Sequence, residues 1–126
     1  MSLVRCRDTK PEMLVRGFLH ALGYRYRLHV KSLPGTPDLV FVARRKAVFI
    51  HGCFWHQHKC AMGDRLPKSR KRFWRTKLMG NKKRDRVKRR ALRALGWRVL
   101  TVWECGLQPR TLRRTLARLV AFLETP

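Results

Sequence analysis

The chain has 126 residues, with 31 Lys+Arg against 7 Asp+Glu and a formal net charge of +24. Its length suits one domain of ordinary size, roughly 100–150 residues, and a hydrophobic content of 44% excludes a disordered basic tail, which would lack the apolar residues of a core. The longest apolar run, Leu39 to Ala43, is far short of the ~20 residues of a membrane span, so the excess charge points to a polyanion, with nucleic acid ahead of an anionic membrane surface.

The sequence Thr9-Lys-Pro-Glu12 has the form of a capping box, with Pro11 tolerated in a first helical turn. Met13, Leu14, Phe18, Leu19, Ala21 and Leu22 follow at helical spacing, which predicts a helix over 10–22 stopped by Gly23. Tyr24 to Leu28 alternates with period two and predicts a strand. Leu33-Pro-Gly-Thr-Pro37 reads as a rigid turn, Asp38 to Val42 as a second strand, Arg44-Arg-Lys46 as a turn, and Ala47 to His51 as a nearly all-apolar central strand. Gly52 to Asp64 is a Cys/His-rich loop, and Leu66 to Lys71 reads as a surface loop.

Residues 72–95 predict a long helix, with Phe73, Trp74, Leu78, Val87, Ala91, Leu92 and Leu95 near one face. Trp97 to Trp103 predicts a strand. Pro109 opens a last helix to about Leu123, with Leu112, Leu116, Leu119, Val120 and Leu123 inward. The expected order is α-β-β-β-α-β-α, an α/β fold of the α+β type with a mixed sheet flanked by helices. No repeat or Pro- or Gly/Ser-rich linker interrupts it, so residues 1–126 are expected to form a single domain.

Residues Met1 to Asp8 lack the apolar core and cleavage site of a signal peptide. The cytoplasm is therefore the expected location, and there structural disulfides are rare. Cys53, His58 and Cys60 share one loop, and Cys105 follows the last predicted strand. Three thiolates and an imidazole suit tetrahedral structural Zn²⁺. The other reading is buried, unligated thiols with a surface His. Cys6 stands apart from this group.

Seven acids among 31 bases make each acid worth locating. Asp38 opens one strand and His51 ends the next, so a hairpin would bring them together. A carboxylate beside an imidazole in a basic field suits Mg²⁺ and water for phosphodiester hydrolysis. Against this, Asp38 is also a natural turn residue after Pro37, and His51 a natural packed strand end. Lys77, Asn81 and Asp85 recur every four residues and share one helix face. That stripe is either a DNA-reading, metal-adjacent face or, for Asp85, an ordinary surface ion pair. Glu12 is the capping-box partner of Thr9 or an accessory acid. Phe54 and Trp55 are core plugs or wedges between base pairs. His56 is either an acid–base residue near a leaving oxygen or simply solvated. Residues 65–90 hold 14 of the 31 Lys+Arg, too one-sided for intrahelical pairing and better suited to phosphate contacts.

Six segments then occur in order: Arg7 to Glu12, Leu33 to Asp38, Phe49-Ile-His-Gly-Cys-Phe-Trp-His56, Phe73-Trp74, Asn81 with Arg84-Asp85, and Gly96 to Cys105. Together they closely resemble the very-short-patch-repair (Vsr) DNA mismatch endonuclease family, from about Arg7 to Leu107. The resemblance implies a restriction-endonuclease-like core and a Mg²⁺-dependent, strand-specific nick beside the thymine of a T:G mismatch, the product of 5-methylcytosine deamination. It implies that double-stranded DNA is the partner of a monomeric enzyme. Asp38 and the backbone carbonyl of Ile50 would hold Mg²⁺, and His51 and Asp85 would hold metal-bound water. His56 would act as acid–base residue and Glu12 as accessory acid. Cys53, His58, Cys60 and Cys105 would bind structural zinc. Phe54 and Trp55 would intercalate beside the mismatch, while Lys77 and Asn81 contact the mispaired bases. Where many restriction-type nucleases carry an acid and a lysine on the second strand of the site, this chain has Phe49-Ile50-His51. Two rival readings are a nuclease of related fold with different specificity and a non-catalytic, zinc-stabilised DNA-binding module.

Overall fold

The structure is a computed structural model, and it describes residues 10–52 and 70–125. Among these residues the chain forms α1 (Lys10–Ala21), β1 (Arg27–Leu28), β2 (Leu39–Phe41), β3 (Lys46–His51), α2 (Lys71–Ala94), β4 (Arg98–Trp103) and α3 (Leu112–Glu124). Short 3-10 turns follow β2 (Val42–Arg44) and β4 (Glu104–Leu107). The four strands make one mixed sheet in the order β1-β2-β3-β4. β1, β2 and β3 are antiparallel neighbours, and β4 runs parallel to β3. None of the described helices is long and apolar enough to cross a membrane.

Period-two alternation along β3 sends side chains to two different cores. Val48 joins Val15 and Leu19 of α1, Leu39 and Phe41 of β2, Val102 of β4, and Leu119 and Leu123 of α3. Ala47 and Phe49 join Leu92 of α2, with Leu33, Trp97 and Val99 packed around them. The sheet is thus a middle layer between α1 with α3 on one face and α2 on the other. Burying the apolar side chains of both cores is the main stabilising term, at about 25 cal/mol per Å² of apolar area removed from water.

Several elements depart from the sequence expectation. The predicted strand over 24–28 pairs only at Arg27 and Leu28, opposite Val40 and Leu39. Continuing that register would set residue 25 against Val42, where β2 has already turned into 3-10 geometry. Tyr24 and Tyr26 instead lay their rings edge-on against Phe41. Pro109 lies ahead of α3, in a turn closed by the Leu112 amide donating to the Gln108 carbonyl at 2.8 Å. Lys46, expected in a turn, begins β3 and is 2% exposed.

On α2, only Leu78 and Leu92 are buried, whereas Phe73, Val87 and, just past its end, Leu95 are exposed. A 24-residue helix is about 36 Å long. The six-residue strands span only about 20 Å, so the sheet cannot cover the whole helix face.

Candidate active site

The site lies where the start of β2 meets the end of β3. The turn that delivers Asp38 is fixed locally. The Thr36 amide donates to the Leu33 carbonyl at 3.1 Å, with Pro34 next and Gly35 at φ +81°. Proline then glycine at these positions is what a type II turn requires. Gly35 is needed for space as well. A Cβ there would lie 3.0 Å from Lys88 Cβ and 3.1 Å from the Phe49 ring. The turn is therefore clamped between α2 and β3 just before it reaches Asp38.

Asp38 Oδ2 accepts the backbone N–H of Ile50 at 2.7 Å. In an extended strand the N–H and C=O of one residue face the same neighbour, so the Ile50 carbonyl also lies on the Asp38 side. His51 is buried at the end of β3. Its ring sits 5.5 Å from Phe49 and 5.2 Å, edge-on, from Trp103, its register partner on β4.

Two further residues complete the cluster. Glu12, in the first turn of α1, is 2% exposed, and its Oε2 lies 3.3 Å from Arg16 Nη1 and 2.9 Å from His29 Nε2. His29 Nδ1 lies 3.7 Å from Asp38 Oδ1. Glu12, His29 and Asp38 form a group of potential metal ligands whose donor atoms lie within 4.8 Å of one another. The donor set suits a hard divalent cation: carboxylate oxygens and a backbone carbonyl, with an imidazole at the edge.

His29 is the residue sequence reasoning missed. It follows the predicted strand and belongs to none of the quoted motifs. The signal that could have found it is antiparallel register. With Leu28 opposite Leu39, the next pair outward is His29 and Asp38.

The other predicted residues fall as follows. Asp85 is half-buried on α2, one turn before the Lys88 that packs on the Gly35 turn. Asn81, half-buried, accepts a hydrogen bond from Arg84 at 2.5 Å, and Lys77 is exposed. Half of the residues of α2 are Lys or Arg, and Asp85 is its one acid. Cys105 lies in the 3-10 turn after β4, with its carbonyl accepting from Thr111 Oγ1 at 2.9 Å. Cys53, Phe54, Trp55, His56, His58 and Cys60 lie outside the described residues.

Comparison with known proteins places the chain in a family. The model of the DNA mismatch endonuclease Vsr family matches residues 1–62. The type II nicking enzyme V.XorIIP of Xanthomonas oryzae pv. oryzae is 55% identical over 107 residues, covering 85% of this chain and 78% of that protein. The type II nicking enzyme V.NmeAIP of Neisseria meningitidis serogroup A is 43% identical over 121 residues, 95% of this chain and 86% of its own. The DNA mismatch endonuclease Vsr of Escherichia coli is 43% identical over 110 residues, 87% of this chain and 70% of its own. The chain belongs to the Vsr family of DNA endonucleases, and DNA is accordingly its class of partner.

Proposed function

We propose that this protein nicks one strand of double-stranded DNA beside the thymine of a T:G mismatch, by Mg²⁺-dependent phosphodiester hydrolysis, as a cytoplasmic monomer. The observation that carries the reading is the Asp38 carboxylate, held at the sheet end by the Ile50 amide in a chain with only seven acids. A pure DNA-binding module gains nothing from acids buried beside phosphates. The names of its relatives, a mismatch endonuclease and nicking enzymes, support the specificity.

In this reading Asp38 and the Ile50 carbonyl would hold Mg²⁺, whose Lewis-acid chemistry would serve the scissile phosphate and an attacking water. His51 and Asp85 orient that water by hydrogen bonding, and His56 passes a proton to the leaving oxygen. Glu12 adds negative charge behind Asp38. The basic face of α2 neutralises backbone phosphates, with Lys77 and Asn81 toward the mispaired bases and Phe54 and Trp55 wedged beside them.

Cys53, His58, Cys60 and Cys105 bind a structural Zn²⁺. The chain enters its Cys/His segment directly from His51, whose partner Trp103 stands two residues before Cys105, which favours that ligand set. Metal analysis of freshly isolated protein should find about one zinc per chain, lost in Cys105→Ser. Zinc-free reduced wild type would refute the site.

The deciding assay incubates the protein with Mg²⁺ and a T:G-containing or a fully paired duplex. A single-strand nick confined to the mismatched duplex is expected. Equal cutting of both indicates a related nuclease of different specificity, and no cutting of either indicates a binding module. Asp38→Asn should lower nicking roughly a thousandfold or more, the value of several kcal/mol of charge stabilisation. Full activity in that variant would remove Asp38 from the mechanism.

A further inference from the structure

His29 occupies a position that the proposed chemistry has not used. Its side chain is 8% exposed, between Glu12 at 2% and Asp38 at 16%. Its two ring nitrogens face two carboxylates from two different elements, Nε2 toward Glu12 Oε2 and Nδ1 toward Asp38 Oδ1. The Nε2 contact is short, but the oxygen lies off the N–H axis, and Nε2 makes no in-line hydrogen bond. The nitrogen is thus in contact with the carboxylate and is left with an unused hydrogen-bonding direction inside the cluster.

The backbone shows the same commitment. His29 adopts φ +47°, a left-handed conformation that costs a residue with a Cβ on the order of 1 kcal/mol and concentrates at functional sites. In that conformation its N–H donates to the Asp38 carbonyl at 3.1 Å. Of the four non-glycine residues with positive φ among those described, His29 and Thr36 bracket the loop that ends at Asp38. Asp38 is therefore tied to His29 by a main-chain hydrogen bond, with the imidazole 3.7 Å from one carboxylate oxygen, while the other carboxylate oxygen accepts the Ile50 amide.

We infer that His29 is a positioning residue: its imidazole, set between Glu12 and Asp38, holds the Asp38 carboxylate in the one orientation that serves a divalent cation. It acts through Asp38, as partners of metal ligands commonly do. Removing such a partner lowers metal affinity or activity by about 10–100-fold. The inference rests on the proposed role of Asp38 in holding Mg²⁺.

The test compares wild type with His29→Leu, His29→Gln and Asp38→Asn. Mn²⁺ uptake by the protein is followed through loss of the free-ion electron paramagnetic resonance signal. The Mg²⁺ concentration for half-maximal nicking, metal-free DNA affinity and the thermal midpoint are measured alongside. His29→Leu should bind Mn²⁺ about tenfold or more weakly and need correspondingly more Mg²⁺. His29→Gln, which keeps a donor at similar reach, should recover part of the loss. DNA affinity without metal should change less than twofold in His29→Gln.

Wild-type Mn²⁺ binding in His29→Leu overturns the inference. So does a loss of metal affinity in His29→Gln matched by equal losses of DNA affinity and thermal midpoint, because that marks a merely structural role. An imidazole-nitrogen coupling to bound Mn²⁺ that vanishes in His29→Gln also overturns it, by making His29 a direct ligand. If Asp38→Asn loses Mn²⁺ while His29→Leu does not, only this inference fails. If Asp38→Asn binds Mn²⁺ normally, or wild type binds none, the role of Asp38 fails with it.

Discussion

Lys46 and His51 stand at opposite ends of β3, and the two ends treat buried charge in opposite ways. At the start of the strand, the Lys46 ammonium donates to the carbonyls of Phe122, Leu123 and Thr125. Phe122 and Leu123 are among the last acceptors of α3, which a helix leaves without internal donors, and Thr125 caps its end. Arg44 adds a second donor to Leu123 at 3.0 Å. Donor and acceptors are matched there, and the arrangement closes the chain end onto the sheet. At the far end, the Glu12 and Asp38 carboxylates flank one imidazole, with Arg16 beside Glu12 and the Ile50 amide on Asp38. That end concentrates acceptors, in a protein whose surface is overwhelmingly cationic. A matched set serves stability, whereas a cluster rich in acceptors is suited to receive a cation.

Substitutions at each end separate the two roles. The largest effect is expected at the acceptor-rich end. Asp38→Asn should remove most of the nicking rate while leaving the thermal midpoint within a few degrees, since the Asn side-chain oxygen still accepts the Ile50 amide. A variant that lost stability rather than rate would erase the distinction.

Next in size is Lys46→Met. It leaves the Phe122 and Thr125 carbonyls without the ammonium donor, while Leu123 keeps Arg44, and should cost about 2 kcal/mol in denaturant unfolding. Single-turnover nicking at low temperature should stay close to wild type. A large loss of rate in folded Lys46→Met protein would mean that the two ends are coupled.

The smallest effect belongs to Tyr24, whose hydroxyl donates to Glu124 at 2.5 Å. That hydrogen bond, with burial and the Glu124 charge adding to it, raises the phenol above its ordinary value of 10.0. The folded state therefore holds the proton more tightly than the unfolded state. The associated stability is complete below pH 10 and is lost as pH rises through the raised value. Burial, with the charges of Arg98 and Arg44, lowers the Lys46 amine from 10.5. Its contribution runs the other way, since the cost of burying the charge is relieved as pH rises towards 10.5. Tyr24→Phe should lower stability at neutral pH by at most about 1 kcal/mol and should also remove the alkaline decline. An unchanged pH profile above 10 would dissociate Tyr24 from that decline.

Legibility differed with the range of the interactions involved. α1, β3, α2 and β4 are visible because apolar periodicity is a local property: Leu14, Phe18, Leu19 and Leu22 recur at helical spacing, and Ala47 to Ile50 form an unbroken apolar run, although burial in α1 falls on Val15 and Leu19 and leaves Met13, Leu14 and Leu22 exposed. Asp38 was visible through Pro37 before it and the apolar strand after it. Tyr24 to Leu28 has the alternation of a strand, but β2 offers it only a short ladder. Lys46 reads as the end of a basic turn, because nothing near it in the chain reveals that α3 returns some 76 residues later to supply carbonyls. Phe73 and Val87 read as part of an apolar face, but at about 100° per residue they lie on the side of the helix turned away from buried Leu78.

The sequence alone determined the chemistry available: a basic DNA-sized charge, a handful of acids, and a Cys/His segment. It also determined the elements, through local periodicity and the Pro-Gly turn. Only the tertiary structure decided which charges are buried and with whom. Register set His29 opposite Asp38, the packing of α1 brought in Glu12, and the return of α3 enclosed Lys46. The physical reason is that an ion pair or a buried donor is defined by distances of about 3 Å between groups far apart in the chain. Such distances follow from the pairing of strands and the packing of layers, which local patterns do not specify.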